Sequence, residues 1–375
     1  MARETSPRVV VAPDKFKGSL TAAQVAAALA AGIGAARPDT AVLRLPVADG
    51  GDGTVDAFVA AGWERVELTA PGPTGVPGPA AYAMRGSTAV VELAAVVGLV
   101  KLPGGVLDPL GAGTYGLGVV IGHALARGAT EIIIGLGGSA STDGGAGMLR
   151  ALGARVLDAD AVEVPHGGAG LARAVTFDRS GLGDRVAAAR FTLACDVDNP
   201  LLGRSGASAV YGPQKGVTAV EHPILEAALD NWSRLVGPEF AGRPGAGAAG
   251  GTGFGALAVL GAEMRSGIEV ILELLDFRAL VDGAALVITG EGSLDEQSLH
   301  GKAPIGVCAQ ARAAGVPVVA AAGRTTLDAA ALRAAGFRAC YALSALEPDP
   351  ARSMADAAAL LRQVGARIAA EQLPD

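Results

Sequence analysis

VITGEGSLDEQSLHGKAP, residues 287–304, is the stretch on which the reading of this chain turns. The apolar run Ala284–Ile288 that leads into it has the length and composition of a buried strand. It gives way to a glycine-rich segment carrying Glu291, Asp295, Gln297, His300 and Lys302. In open parallel sheets ligands bind in the crevice beyond the carboxyl ends of such strands, so function is expected at this turn. Glu291 and Asp295 are candidates to bind a metal or take a proton, and Lys302 to meet an anion. Gly290, Gly292 and Gly301 would let backbone approach a ligand closely. The alternative is a polar turn that caps the following helix.

Working outward, the pattern downstream reads as helix Pro304–Ala314, strand Val316–Ala322, helix Leu327–Ala335, strand Ala339–Leu343 and a long terminal helix. Upstream, at the other end of the chain, Val9–Ala12 is a short strand. Thr21 and Gln24 form a capping-box start for an Ala-rich helix running to about Ala35. A second strand, Ala41–Pro46, ends in ADGGDGT (residues 48–54) and is followed by a helical stretch to Ala61. Alternating strands and helices at both ends predict one Rossmann-like parallel-sheet α/β domain made of residues 1–82 and 277–375. The middle, residues 83–276, is interrupted by glycine-rich segments and reads as an inserted second α/β domain, with an interdomain cleft as the expected place for small-molecule chemistry. The first strand leads into DKFKGS instead of GxGxxG, which removes the dinucleotide-binding fingerprint of an oxidoreductase.

Composition sets further bounds. A chain of 375 residues, half of them hydrophobic, has material for two cores, and 55 glycines with few aromatics favour α/β packing over a β-sandwich. The formal net charge of −7 and the lack of any Lys/Arg run argue against a nucleic-acid partner. Cys195, Cys308 and Cys340 lie far apart and without CxxC spacing, and the four histidines show no metal spacing. The opening MARETSPR lacks a signal-peptide core, and no apolar run is long enough to suggest a membrane span. A cytoplasmic location is therefore expected.

Seven segments, in order, carry a resemblance. They are APDKFKGSLTA (12–22), PVADGGDGT (46–54), GLGGSASTDGGAG (135–147), CDVDNPLLG (195–203), GPQKG (212–216), PGAGAAGG (244–251) and GEGSLDEQSLHGK (290–302). Together they resemble the bacterial two-domain glycerate kinase family, of glycerate 2-kinase type, almost end to end. The resemblance implies transfer of the γ-phosphoryl of ATP to D-glycerate, giving 2-phosphoglycerate and ADP, with Mg²⁺ as cofactor and room for a homodimer. The alternatives are a 3-phosphoglycerate-forming enzyme, a kinase of another small hydroxy acid, and a non-catalytic ligand-binding protein. Lys15 stands where many relatives have Ser, Asp52 where many have Glu, and Ser293 where many have Arg. The last departure means that Lys302, or a base elsewhere, must supply any cation needed at that turn.

Phosphoryl transfer needs metal-bridged phosphates, cations, backbone amides and a group oriented on the attacking hydroxyl. Asp295 is the candidate base, with a helix N-cap as its alternative role. Lys17 and Lys302 are expected to take catalytic roles as cations. Asp14, Lys15, Ser19, Glu291 and Gln297 are the expected substrate contacts, with Lys15 and the two other lysines facing the acid's carboxylate. The loop after strand Glu131–Ile134 lacks the Gly-Lys-Ser/Thr of a Walker A motif. Its Gly137, Gly138, Ser139 and Asp143, with Gln214 and Lys215 of GPQKG, are the expected nucleotide contacts. For Mg²⁺ the candidates are Asp196 and Asp198, and the rival pair is Asp49 and Asp52.

Overall fold

The structure, a computed structural model, describes residues 8–299 and 301–373; His300 lies outside the described residues. The chain opens with strands β1 (Arg8–Val11) and β2 (Ala41–Arg44). It continues through β3 (Glu64–Pro71), β4 (Pro77–Arg85), β5 (Thr88–Glu92), β6 (Glu131–Gly135), β7 (Arg155–Leu157), β8 (Thr176–Asp178), β9 (Arg190–Ala194) and β10 (Glu263–Arg265). It closes with β11 (Leu286–Leu294), β12 (Val318–Thr325) and β13 (Ala339–Ala342).

These strands fall into two compact units. The first takes the chain up to Asp49, Asp56–Gly62 and everything from Ile268 on; the second takes Gly50–Val55 and Trp63–Gly267. The sequence reading drew the boundaries at 82/83 and 276/277, and both move. Residues 64–82 belong with the second unit because β4 pairs antiparallel with β5, Ala83 opposite Val90, and β3 pairs with β4. Ile268 joins the first unit: a side chain at Gly306 would meet Ile268 at 2.6 Å, so the two segments are in close contact.

The first unit is a five-stranded sheet in the order β13-β12-β11-β1-β2, parallel throughout. Its centre is an apolar slab of Val9, Val11, Leu286, Ile288 and Val319, packed against Leu29, Ile33, Leu361 and Val364 of the helices Ala22–Ala36 and Ala357–Gln372. Full burial of one such side chain contributes roughly 1.5–3 kcal/mol. Helix Ala22–Ala36 starts with a complete capping box: Thr21 Oγ1 accepts from Gln24 N–H at 3.2 Å, and Gln24 Oε1 from Thr21 N–H at 2.9 Å. After β1 this helix leads to β2 on one side, whereas β11 leads through helix Ala303–Ala313 to β12 on the other. The connection therefore reverses between β1 and β11, and their carboxyl ends form the crevice where open α/β sheets bind ligands.

The second unit holds a six-stranded sheet, β10-β9-β6-β5-β4-β3. Its first four strands are parallel and its last two form an antiparallel hairpin, and a separate pair is made by β7 and β8. Its core includes Ile132, Ile134, Phe191, Leu193, Leu229 and Trp232. Residues 242–255 are ordered and lead into helix Ala248–Val259, which opens with Ala249, Gly250 and Gly251 all in the left-handed region. Among the described residues no helix is long and apolar enough to cross a membrane.

Candidate active site

The structure corrects the parsing of residues 287–304. The strand does not stop at Ile288. It runs through Gly290, Glu291 and Ser293 to Leu294, and stays in register with β12 to Thr325. Gly290 is required by close approach: a Cβ would lie 1.7 Å from the Ala321 carbonyl oxygen of β12. A glycine expected to let backbone approach a ligand here lets one strand approach its neighbour. The turn proper starts at Asp295 and continues as a single 3-10 turn, Glu296–Leu299.

At the switch point of the first unit, β1 hands on to Asp14, whose N–H donates to Gly290 O at 2.8 Å and so holds it beside β11. Its Oδ1 accepts from Lys15 N–H at 2.6 Å. Asp14 is 8% exposed, and burial pushes its carboxyl up to about 7; Lys15 opposes that rise, and Asp49 and Glu291 add to it. Glu291, buried on β11, is likewise raised by burial, against the pull of Ser298 and Lys302. Its Oε1 has no hydrogen-bond partner among the described residues. Two buried carboxyls with elevated proton affinity thus lie at the sheet crevice, a combination that recurs at functional sites.

Asp295 is in the opposite state. Its Oδ1 accepts from the N–H groups of Gln297 at 3.0 Å and Ser298 at 3.3 Å, and its Oδ2 from Ser293 Oγ at 3.3 Å. Burial raises its carboxyl, but these bonds and Lys302 outweigh it and hold the group below the ordinary carboxylate range. The capping role that the sequence left open is therefore realised, and an anion remains with one oxygen engaged only by a hydroxyl.

The cations divide. Lys17 is exposed on the tight loop Phe16–Leu20, and Lys15 is half-buried beside Asp14. Lys302 begins helix Ala303–Ala313 and acts on both Glu291 and Asp295. Ser19 Oγ is spent on Met354 O at 2.8 Å, and Gln297 is exposed. The sequence reading missed Arg324. It lies on β12 opposite Ser293 and donates from Nε to Ser293 Oγ at 3.2 Å. The available signal was a strand of the same sheet running into GRTT, the composition of a site-facing end.

In the second unit the loop after β6 is tightly braced from within. Asp143, 1% exposed, accepts on Oδ2 from Thr114 N–H and Oγ1, both at 2.8 Å, and from Gly147 N–H at 3.1 Å. Ser139 Oγ and Ser141 Oγ bond each other at 3.0 Å, whereas the Oγ1 of buried Thr142 has no partner among the described residues. Gly138 is exposed and Gly137 partly so. Lys215, expected to reach phosphates, is 2% exposed, and its ammonium is spent on the Ser141 carbonyl. Burial, opposed by Asp143, lowers its pKa to about 7. A Cβ at Gly250 would come within 2.8 Å of Lys215 Nζ, so glycine there makes room for the amine. Lys215 and Asp143 thus hold the loop in shape, and Gln214 is exposed.

Asp196 and Asp198 are exposed after β9, with Asp196 Oδ1 accepting from Gly267 N–H at 3.0 Å. Of the rival pair, Asp49 belongs to the first unit and Asp52 to the second. Among the described residues no group of three or more His, Cys, Asp or Glu is arranged to hold a metal ion.

Comparison with known proteins gives these features a context. The glycerate kinase family model matches residues 9–372. A glycerate kinase of Bacillus subtilis (strain 168) is 43% identical over 90% of each chain, and a glycerate 2-kinase of Escherichia coli (strain K12) is 42% identical over the same shares. Among solved structures, a Salmonella typhimurium LT2 protein provisionally described as glycerate kinase 2 superposes with a TM-score of 0.84. It is 41% identical, over 97% of this chain and 98% of that one.

Proposed function

The chain belongs to the glycerate kinase family, and from its place among these ATP-dependent kinases we propose that it transfers the γ-phosphoryl of ATP to the 2-hydroxyl of D-glycerate, releasing 2-phosphoglycerate and ADP. The observation that carries the acceptor side is the crevice at the β1/β11 switch point. There an anionic Asp295 and Lys302 follow the end of buried strand β11, and Lys15 follows that of β1. In this reading Asp295 Oδ2 accepts a hydrogen bond from the attacking hydroxyl. The hydroxyl oxygen bonds to the γ-phosphorus as the bridging oxygen of ATP leaves.

A low proton affinity suits Asp295 to orienting the hydroxyl early and taking its proton late. Lys17 and Lys302 supply positive charge to the transferring group, with Asp14, Lys15 and Glu291 closing the acid's surroundings. The exposed backbone of Gly137 and Gly138 would receive phosphate oxygens, with Ser139, Asp143 and Lys215 keeping that loop rigid.

Mg²⁺ bound by phosphates needs only one or two protein carboxylates, so the exposed donors Asp196 and Asp198 fit it; Asp49 and Asp52 are the alternative. When bound it would supply positive charge that offsets the charge of the phosphates. The relative named a glycerate 2-kinase supports the 2-position.

The test is a coupled ATP-consumption assay with D-glycerate, L-glycerate and no acid, with and without Mg²⁺, followed by phosphorus NMR of the product. Metal-dependent turnover on D-glycerate with the coupling pattern of a secondary phosphate ester is the expected result. A primary ester would move the reading to 3-phosphoglycerate, and no turnover on either glycerate would remove it.

A further inference from the structure

We infer that Arg324 is the residue that binds the carboxylate of the acid substrate, in a pose fixed by Ser293. The inference rests on the kinase reading above and adds a specificity-determining contact to it.

Three observations carry it. The first is placement. β12 runs on past the buried core to Thr325, and its register with β11 sets Arg324 directly across from Ser293, one strand from the switch point.

The second is commitment. Lys302 is engaged electrostatically by Glu291 and Asp295, and Lys15 by Asp14. Arg324 is exposed and, among the described residues, has no hydrogen bond or ion pair other than the one from Nε to Ser293 Oγ at 3.2 Å. Anchoring a guanidinium through Nε fixes its plane and leaves both Nη groups as a fork, the geometry that matches a carboxylate bidentately. Lys17 is also exposed, but a lysine is a mobile point charge that sets no such plane.

The third is connection. Ser293 Oγ, which receives the Arg324 bond, is itself bonded to Asp295 Oδ2 at 3.3 Å. One serine therefore ties the fork to the carboxylate assigned to the reacting hydroxyl. In a 2-hydroxy acid the hydroxyl and the carboxylate sit on adjacent carbons, so a molecule of that size presents one group to Asp295 and the other to Arg324.

The test compares the unaltered chain with Arg324→Gln and Arg324→Lys in steady-state kinetics, varying D-glycerate and ATP separately, with thermal melting as a control for folding. Loss of a charge-assisted pair corresponds to a rise in KM for D-glycerate of about tenfold to a hundredfold in Arg324→Gln. KM for ATP is expected to stay within about twofold and kcat to change little, as befits a contact made equally before and during transfer. Arg324→Lys, which keeps charge without the fork, is expected to fall between. Competitive inhibition by glycerol, which lacks the carboxylate, is expected to be the same in all three chains.

An unchanged KM for D-glycerate in Arg324→Gln overturns the inference and leaves the kinase reading standing. A raised KM for ATP with an unaltered KM for the acid also overturns it, because the guanidinium then serves the phosphates. Absence of turnover on D-glycerate by the unaltered chain overturns the kinase reading, and the inference with it.

Discussion

Asp14 and Asp295 follow neighbouring strands, and their carboxyls are driven in opposite directions. Asp295 keeps its charge because two amides and a hydroxyl point at it. Asp295→Asn retains an acceptor oxygen for the amides but loses the anion. Turnover is expected to fall by roughly 10² or more with KM for ATP little changed, and near-parental turnover would take Asp295 out of the reaction. Asp14 is raised from its ordinary 3.8 to about 7 by burial. Below about 4 the folded and unfolded chains both carry its proton. Between about 4 and 7 only the unfolded chain gives the proton up, so stability falls with rising pH and levels off above. Asp14→Asn abolishes that slope. Its stability is expected to exceed the parent's by a margin that widens up to neutral pH, reaching a few kcal/mol on the order-of-magnitude scale and read as a raised melting temperature, and parallel pH profiles would contradict this. Both carboxylates were legible in the sequence as site candidates. Their protonation states were not, because burial and hydrogen bonding are properties of the packed crevice.

At the scale of elements, legibility followed the range of the forces. Helix Ala22–Ala36 was readable almost to the residue because its capping box is contained within four positions. That the first sheet is parallel was readable from alternation alone; its strand order was not. The extension of β11 through GEGSL was not, since the reason for Gly290 is a carbonyl of β12, remote in the chain. Gly290→Ala is expected to push the two strands apart and cost about 1–3 kcal/mol or more, read as a lowered melting temperature or loss of soluble protein; an unchanged melt would mean that the strands are not held that closely. Arg324 escaped for the same reason, its meaning being a cross-strand register. So did the fate of Lys215: a lysine in a polar motif reads as exposed, and only the fold brings Ser141 and Gly250 around it.

On the scale of the whole molecule, the second unit draws its core almost entirely from one continuous stretch, whereas the first is assembled from both chain ends. A fragment spanning Gly50–Gly267 includes the segment whose Gly50 and Gly51 pack under Gly135 and Gly137. It is expected to fold alone with a cooperative thermal transition, measured by circular dichroism. The matching fragment that ends at Gly62 is expected to stay unfolded, for want of the strands that flank it. A featureless melt from the longer fragment would contradict the division.

That arrangement has a consequence for the chain as it is made. β1 is an interior strand, lying between β2 and β11, yet it leaves the ribosome long before its partner β11, which begins only at Leu286. At about 5–20 residues per second, roughly ten to fifty seconds of synthesis separate the two. Throughout that interval Val9, Val10 and Val11 lack the neighbour that will cover one edge of their backbone. The nascent protein must carry an apolar strand through the completion of an entire second unit, and in that window a chaperone, or a neighbouring nascent chain, has its best opportunity to bind.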